Sequence, residues 1–204
     1  TTSEGGGFYG LKPPSYGQPY TLVVSASGYL SPVPIISQTV VSETSITPIT
    51  FTLKPANDVI TNGDFEIDTT GWLTAGTGSA AVFSGGHRSG YASLALSGPI
   101  TLTQNVVISG AYNPTLSFWR KGGDSFQVSL EGSTALVSTT VAAVPPDQWQ
   151  HAWLPLGQAD LYTGTLSVGF HLAGSTSQVF LDEISLGDGP YTIFLPIIIR
   201  SAAP

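Results

Sequence analysis

The chain has 204 residues, enough for one large or two small domains with real cores, and carries a formal net charge of −7 at pH 7 with only six Lys and Arg. Six scattered cations form no phosphate-binding stripe, which argues against a nucleic-acid partner, and the absence of Cys and Met removes disulfides, thiolate catalysis and zinc-thiolate sites. Charged residues make up 9 % of the chain against an ordinary share of about 25 %, while Gly (24), Pro (15), Ser and Thr are abundant, so the surface is one of hydroxyls; the absence of Cys and Met suits an extracellular or cell-surface protein that meets oxidants.

No segment keeps a helical period over ten residues. Short alternating runs broken by Gly, Pro and Ser recur instead, which predicts an all-β fold. The first residue is Thr and no signal-peptide pattern follows, so the sequence reads as a processed product. In the opening segment, Phe8 to Leu11, Tyr20 to Ala26, Ser37 to Val41 and Ile46 to Leu53 are predicted strands, punctuated by Pro13-Pro14 and Pro32-Val33-Pro34. Gly7-Phe8-Tyr9-Gly10-Leu11, Tyr20 to Tyr29 and Ile49 to Pro55 together resemble the second half of a carboxypeptidase-regulatory-like module. That resemblance implies a small transthyretin-like sandwich, non-catalytic, over residues 1–56, with strands missing from its front.

From Asn57 onward a second pattern begins. Asn62-Gly63-Asp64-Phe65-Glu66 with Gly71-Trp72, then Gly86 to Leu94, Thr103-Gln104-Asn105-Val106, Leu116 to Lys121, Asp147 to Gln150 and Phe180 to Leu186 resemble the galactose-binding-like jelly rolls of carbohydrate-binding modules 4, 9 and 22. The resemblance implies a jelly roll over residues 57–188. Alternation agrees with it: Leu116 and Phe118 face away from Ser117 and Trp119, Phe126, Val128 and Leu130 away from Gln127 and Ser129, and Val168, Phe170 and Leu172 away from Gly169 and His171. Two sheets with such inner faces make a sandwich.

The same resemblance implies a structural calcium tying the first strand to the last, with carboxylates from Glu66 and Asp182 and further oxygens from Asn62, Asp64 and the 87–89 loop; hard cations take oxygen ligands of this kind. Sugar binding needs a stacking platform beside polar groups on an exposed sheet face, for which Trp119, Gln127, His151, Trp153 and His171 are the candidates. In the family the position of Trp149 belongs to the core, which would turn His151 and Trp153 inward as packing residues.

The tail, residues 189–204, is a separate apolar strand. Tyr191, Ile193, Leu195, Ile197 and Ile199 share one face by period two, and that face must be buried by the chain itself, by another chain or by a membrane. Its run of eight apolar residues broken by Pro196 is too short for a membrane span, which needs about twenty. Docking in cis and donation to a neighbouring subunit both remain. Donation along an open sheet edge would be head-to-tail and would propagate as a filament of copies of the chain. The tail also resembles the terminal segment of some bacterial secreted multidomain proteins.

Catalysis is not expected. His87 lies in a loop, the other two histidines sit in strands with no Ser-Gly elbow beside them, and adjacent Asp182 and Glu183 point to opposite faces of a strand. The leading expectation is a non-catalytic secreted structural protein assembling into a filament or surface layer by strand donation; the alternative is a polysaccharide-binding, adhesive module of a larger secreted protein.

Overall fold

A computed structural model describes residues 19–22, 29–30, 35–39, 48–88, 90–108, 114–132, 135–156, 164–174, 178–188 and 191–196. Fifteen strands and no helix occur among the described residues. The chain divides into two compact units, Asn57–Gly189 and a second made from both ends, Thr1–Ala56 with Pro190–Pro204.

In the unit made from the ends, β1 (Pro19–Leu22) pairs antiparallel with β3 (Ile35–Thr39), and β4 (Pro48–Pro55) lies between β2 (Tyr29–Leu30) and β15 (Tyr191–Pro196). The strands expected at 37–41 and 46–53 begin two residues away from those positions, and β2, two residues long, is too short to show any alternation. The strand expected at Phe8 to Leu11 lies outside the described residues. The tail is therefore not a free segment. It runs antiparallel along β4 of its own chain, with Tyr191 opposite Leu53, Ile193 opposite Phe51 and Leu195 opposite Ile49. Strand donation to a neighbour requires β4 to stand open, and here it is taken in cis. Ile197 and Ile199 lie outside the described residues.

The other unit is a sandwich of two five-stranded antiparallel sheets. Sheet I has the order β11-β10-β13-β8-β5, from β5 (Leu73–Gly76), β8 (Ile100–Val107), β10 (Phe126–Glu131), β11 (Ala135–Val141) and β13 (Thr165–Leu172). Sheet II has the order β12-β9-β14-β7-β6, from β6 (Ser79–Phe83), β7 (Ser93–Ser97), β9 (Pro114–Gly122), β12 (Gln150–Pro155) and β14 (Val179–Asp188). Period two sends Leu102 and Val106, Val128 and Leu130, Val168 and Phe170 of sheet I toward Leu94, Leu96, Leu116, Phe118 and Leu181 of sheet II, and all are buried. At the centre the Phe118 and Phe170 rings meet edge to face at 5.2 Å, with Trp72 6.1 Å from Phe170.

The chain enters this sandwich along its last strand. Asp58 Oδ1 accepts from the backbone N–H of Leu186 at 2.8 Å, Val59 N–H donates to Leu186 O, and Ile184 N–H donates to Gly63 O. Buried Gln104 turns inward from β8 and bonds the Thr61 backbone twice, accepting from its N–H at 2.8 Å and donating to its C=O at 2.9 Å. An inward glutamine in an apolar strand thus satisfies main-chain groups that a leucine would strand without partners.

Candidate functional site

The five residues expected to bind sugar fall on two opposite outer faces. Gln127 and His171 stand side by side across β10 and β13 on sheet I, while Trp119, His151 and Trp153 belong to β9 and β12 on sheet II.

On sheet II, His151 lies opposite Trp119 and Trp153 opposite Ser117, so both point outward; the expectation that a core Trp149 would turn them inward does not hold. Trp149 precedes β12, and alternation does not carry through it. Trp119 is nevertheless only 8 % exposed, because the Arg88 guanidinium covers its ring at 4.1 Å from the ring centre. The stack continues through His151, 5.1 Å from Trp119, to Trp153, 5.5 Å from His151 and 56 % exposed. Burial, and then the charge of Arg88, lowers the His151 pKa to about 4, and neither of its ring nitrogens has a hydrogen-bond partner. Alongside, Lys121 Nζ sits 4.8 Å from the Phe180 ring centre and 5.0 Å from that of Trp149, and donates to the Gly86 carbonyl at 3.2 Å. Arg88 and Gly86 both belong to the segment between β6 and β7. The rings and cations of this face are thus engaged in holding that segment down.

The same segment is fastened by the two carboxylates expected to hold calcium. Asp182, fully buried, accepts from Arg88 N–H at 2.7 Å, and Glu66 Oε1 accepts from Tyr91 N–H at 2.7 Å and Ala92 N–H at 3.0 Å. Gly90, at φ +59°, passes so close over Glu66 that a Cβ there would overlap the carboxylate. Asn62 plays another part: its amide donates to the carbonyls of Ile67, Asp68 and Thr70 and accepts from Ile67 N–H, closing the 62–70 loop on itself. Among the described residues no three His, Asp or Glu side chains come together as a metal cluster, and Asp64 does not join Glu66 and Asp182 in one. Two of the four expected ligands, Glu66 and Asp182, address one loop, while the Asn62 side chain is engaged within its own. Asp182 and Glu183 do not simply alternate either, because β14 shifts register between Asp182 and Ser185 with Glu183 at φ 50°.

Sheet I presents a different surface. Rows cross its strands: Thr140, Gln127, His171, Thr101 and Ala75 form one, and Ser138, Ser129, Gly169, Thr103 and Leu73 the next. His171 Nε2 is 2.7 Å from Ser129 Oγ and Nδ1 is 3.2 Å from Thr101 Oγ1, while Gln127 donates to Ser138 Oγ at 2.7 Å. Leu73, 65 % exposed, adds an apolar patch at the β5 side. A serine, a histidine and a threonine in line are not a hydrolytic triad: Ser129 is only 4 % exposed and the third group is a hydroxyl, which cannot stabilise an imidazolium as a carboxylate does. Sequence reasoning found Gln127 and His171 but missed Ser129, Thr101 and Gly169. Alternation puts all three on the outer face; only the strand register brings them to His171.

The same sandwich recurs among solved structures. TmCBM61, solved in complex with β-1,4-galactotriose, superposes with a TM-score of 0.53 at 16 % identity, over 66 % of this chain and all of that one. Family 16 carbohydrate binding module-2 superposes with a TM-score of 0.53 at 17 % identity, over 64 % of this chain and 99 % of its own length. The fold is that of a carbohydrate-binding-module jelly roll. The enzymatically active domain of tailspike protein 4 from bacteriophage CBA120 shares it as well, with a TM-score of 0.53 at 15 % identity over 74 % of this chain, which spans only 22 % of that protein. At these identities the jelly roll is shared and its activity is not transferred. No protein family's sequence profile matches the chain, and no curated protein sequence does. Among the described residues, no helix is long and apolar enough to cross a membrane.

Proposed function

We propose that the chain is a non-catalytic polysaccharide-binding module of an extracellular or cell-surface protein, and that it binds through the outer face of sheet I. The observation that carries this reading is the pairing of Gln127 and His171 on a face rich in hydroxyls, with exposed Leu73 at its β5 edge. A sugar ring offers hydroxyls around an apolar C–H face, and a surface with a few convergent polar groups beside apolar area complements it. The modules TmCBM61 and family 16 carbohydrate binding module-2 support the reading by fold. Trp153 is a second platform, but the rest of its stack is committed to Arg88 and the loop it holds.

Pull-down of the full chain with insoluble polysaccharides, together with a glycan array, tests the proposal. Binding that Gln127→Ala weakens at least tenfold supports it; binding to no glycan, or binding lost only in Trp153→Ala, overturns the assignment to sheet I.

Two further proposals concern the jelly roll and the opening unit in turn. Calcium held by Glu66 and Asp182 would brace the loop between β6 and β7, and a rise in melting temperature on adding calcium to chelator-treated protein tests it. The opening unit would serve as a carboxypeptidase-regulatory-like spacer. A filament built by strand donation is not favoured, because β15 lies on β4 of its own chain.

A further inference from the structure

The sheet I face lacks the ring on which sugar-binding surfaces usually stack. Among the described residues its outward positions, from Leu73 on β5 to Thr140 on β11, hold no Phe, Tyr or Trp. Only His171 has a ring. Resting on the reading of this face as a sugar site, we propose that the His171 imidazole lies along the sheet as the stacking platform, and that Ser129, Thr101 and Gly169 exist in this arrangement to hold it there.

The geometry argues for a ring laid down rather than standing up. Hydrogen bonds to an imidazole lie in the ring plane, and here they run to opposite sides: Nδ1 toward Thr101 on β8 and Nε2 toward Ser129 on β10, the two strands that flank β13. These opposed bonds fix one axis of the ring across the strands, along the sheet. The ring also leans back over Gly169, two residues earlier on the same strand. A Cβ at Gly169 would stand 2.6 Å from His171 Nε2, 3.1 Å from its Cε1 and 2.7 Å from Ser129 Oγ, so any larger residue would push the imidazole up and break its bond to Ser129. Gly169 is at a buried position in a strand, where glycine weakens the element and marks a close approach.

Hydroxyls donate or accept equally well, so either neutral tautomer satisfies both nitrogens. With both nitrogens occupied in the plane, His171 has little left to offer a sugar except its outer face. Stacking of an apolar C–H face on that ring is the contact it can make, while the Gln127 carbonyl oxygen, on an amide whose Nε2 is bonded to Ser138, accepts from a sugar hydroxyl. The ligand class is a neutral pyranose within a polysaccharide.

Two substitutions separate stacking from hydrogen bonding. His171→Phe keeps a ring and loses both nitrogens; His171→Gln keeps polar atoms and loses the ring. Isotope-labelled full chain is titrated with β-1,4-galactotriose, β-1,4-xylotriose and cellotriose, following amide shifts on β10 and β13, with the wild-type spectrum of the sheet II strands as the folding control. The expected result is binding weakened at least tenfold in His171→Gln, less in His171→Phe, which keeps the ring but not the bonds that hold it down, and at least threefold in Gly169→Ala. The reverse order of the two His171 variants, or equal binding in all of them, overturns the platform while leaving the sugar site standing. Wild-type protein that shifts with none of the three sugars, nor with the polysaccharides of the pull-down, overturns the sugar site itself.

Discussion

The outer face of sheet II is crowded with rings and cations, and they are turned on the protein: Arg88 covers Trp119, Lys121 lies against Trp149 and Phe180, and Asp182 and Glu66 grip the backbone of the segment above. Among the described residues, the outer face of sheet I has one ring, His171, amid small polar side chains that bond one another within the sheet. The contrast teaches that an aromatic residue on a sheet face does not mark a binding surface. What marks it is whether the ring's face is already taken.

Breaking sheet II should cost stability and spare binding. Trp119→Ala removes a buried ring along with the Arg88 stack, and a loss of about 3–5 kcal/mol is expected in urea unfolding, with sugar affinity below the melting point unchanged. Acid attacks the same face through His151. Its folded pKa lies below the ordinary value, so the unfolded chain takes up the proton more readily; stability should be full above about pH 6.5, fall as the pH drops toward about 4, and level off below that. Because the ring is partly solvated, the total is about 1–2 kcal/mol rather than the full linkage value, and His151→Phe should flatten that part of the pH profile. Glu66→Ala leaves two backbone N–H groups without their carboxylate and should cost about 1 kcal/mol at its exposed site, seen as faster hydrogen exchange of Tyr91 and Ala92. The smallest stability effects belong to exposed residues, one on each face. Gln127→Ala and Trp153→Ala, both exposed, should stay within about 0.5 kcal/mol of wild type, yet only Gln127→Ala should lose the sugar.

Much of this was legible in the sequence because a sandwich declares itself by period two. Alternation alone points Phe126, Val128 and Leu130, and Val168, Phe170 and Leu172, inward, and all six are buried. Alternation also placed Gln127 and His171 outward. It could not say that they are neighbours, since β10 and β13 are far apart in sequence and only their register puts Gln127 opposite His171. Nor could it show that Trp119 is covered: Arg88 comes from a loop, and loops carry no period. Asp182 and Glu183 misled for a related reason, because a bulge in β14 breaks the alternation on which the reading relied. The tail was correctly seen to need a partner, but its pattern is the same whether that partner is in cis or in trans. Pairing with β4 is a fact of topology.

That pairing fixes how the chain answers a pull. β4 leads into the jelly roll and β15 leads out of it, and at the far end of the ribbon they form, Pro48 stands opposite Pro196. Tension transmitted through the polypeptide on both sides loads that end first and peels the pairs one after another, toward Leu53 and Tyr191, instead of shearing them all at once. The ribbon would thus act as a ripcord, lengthening pair by pair before strain passes from β4 and β15 into the strands of the jelly roll.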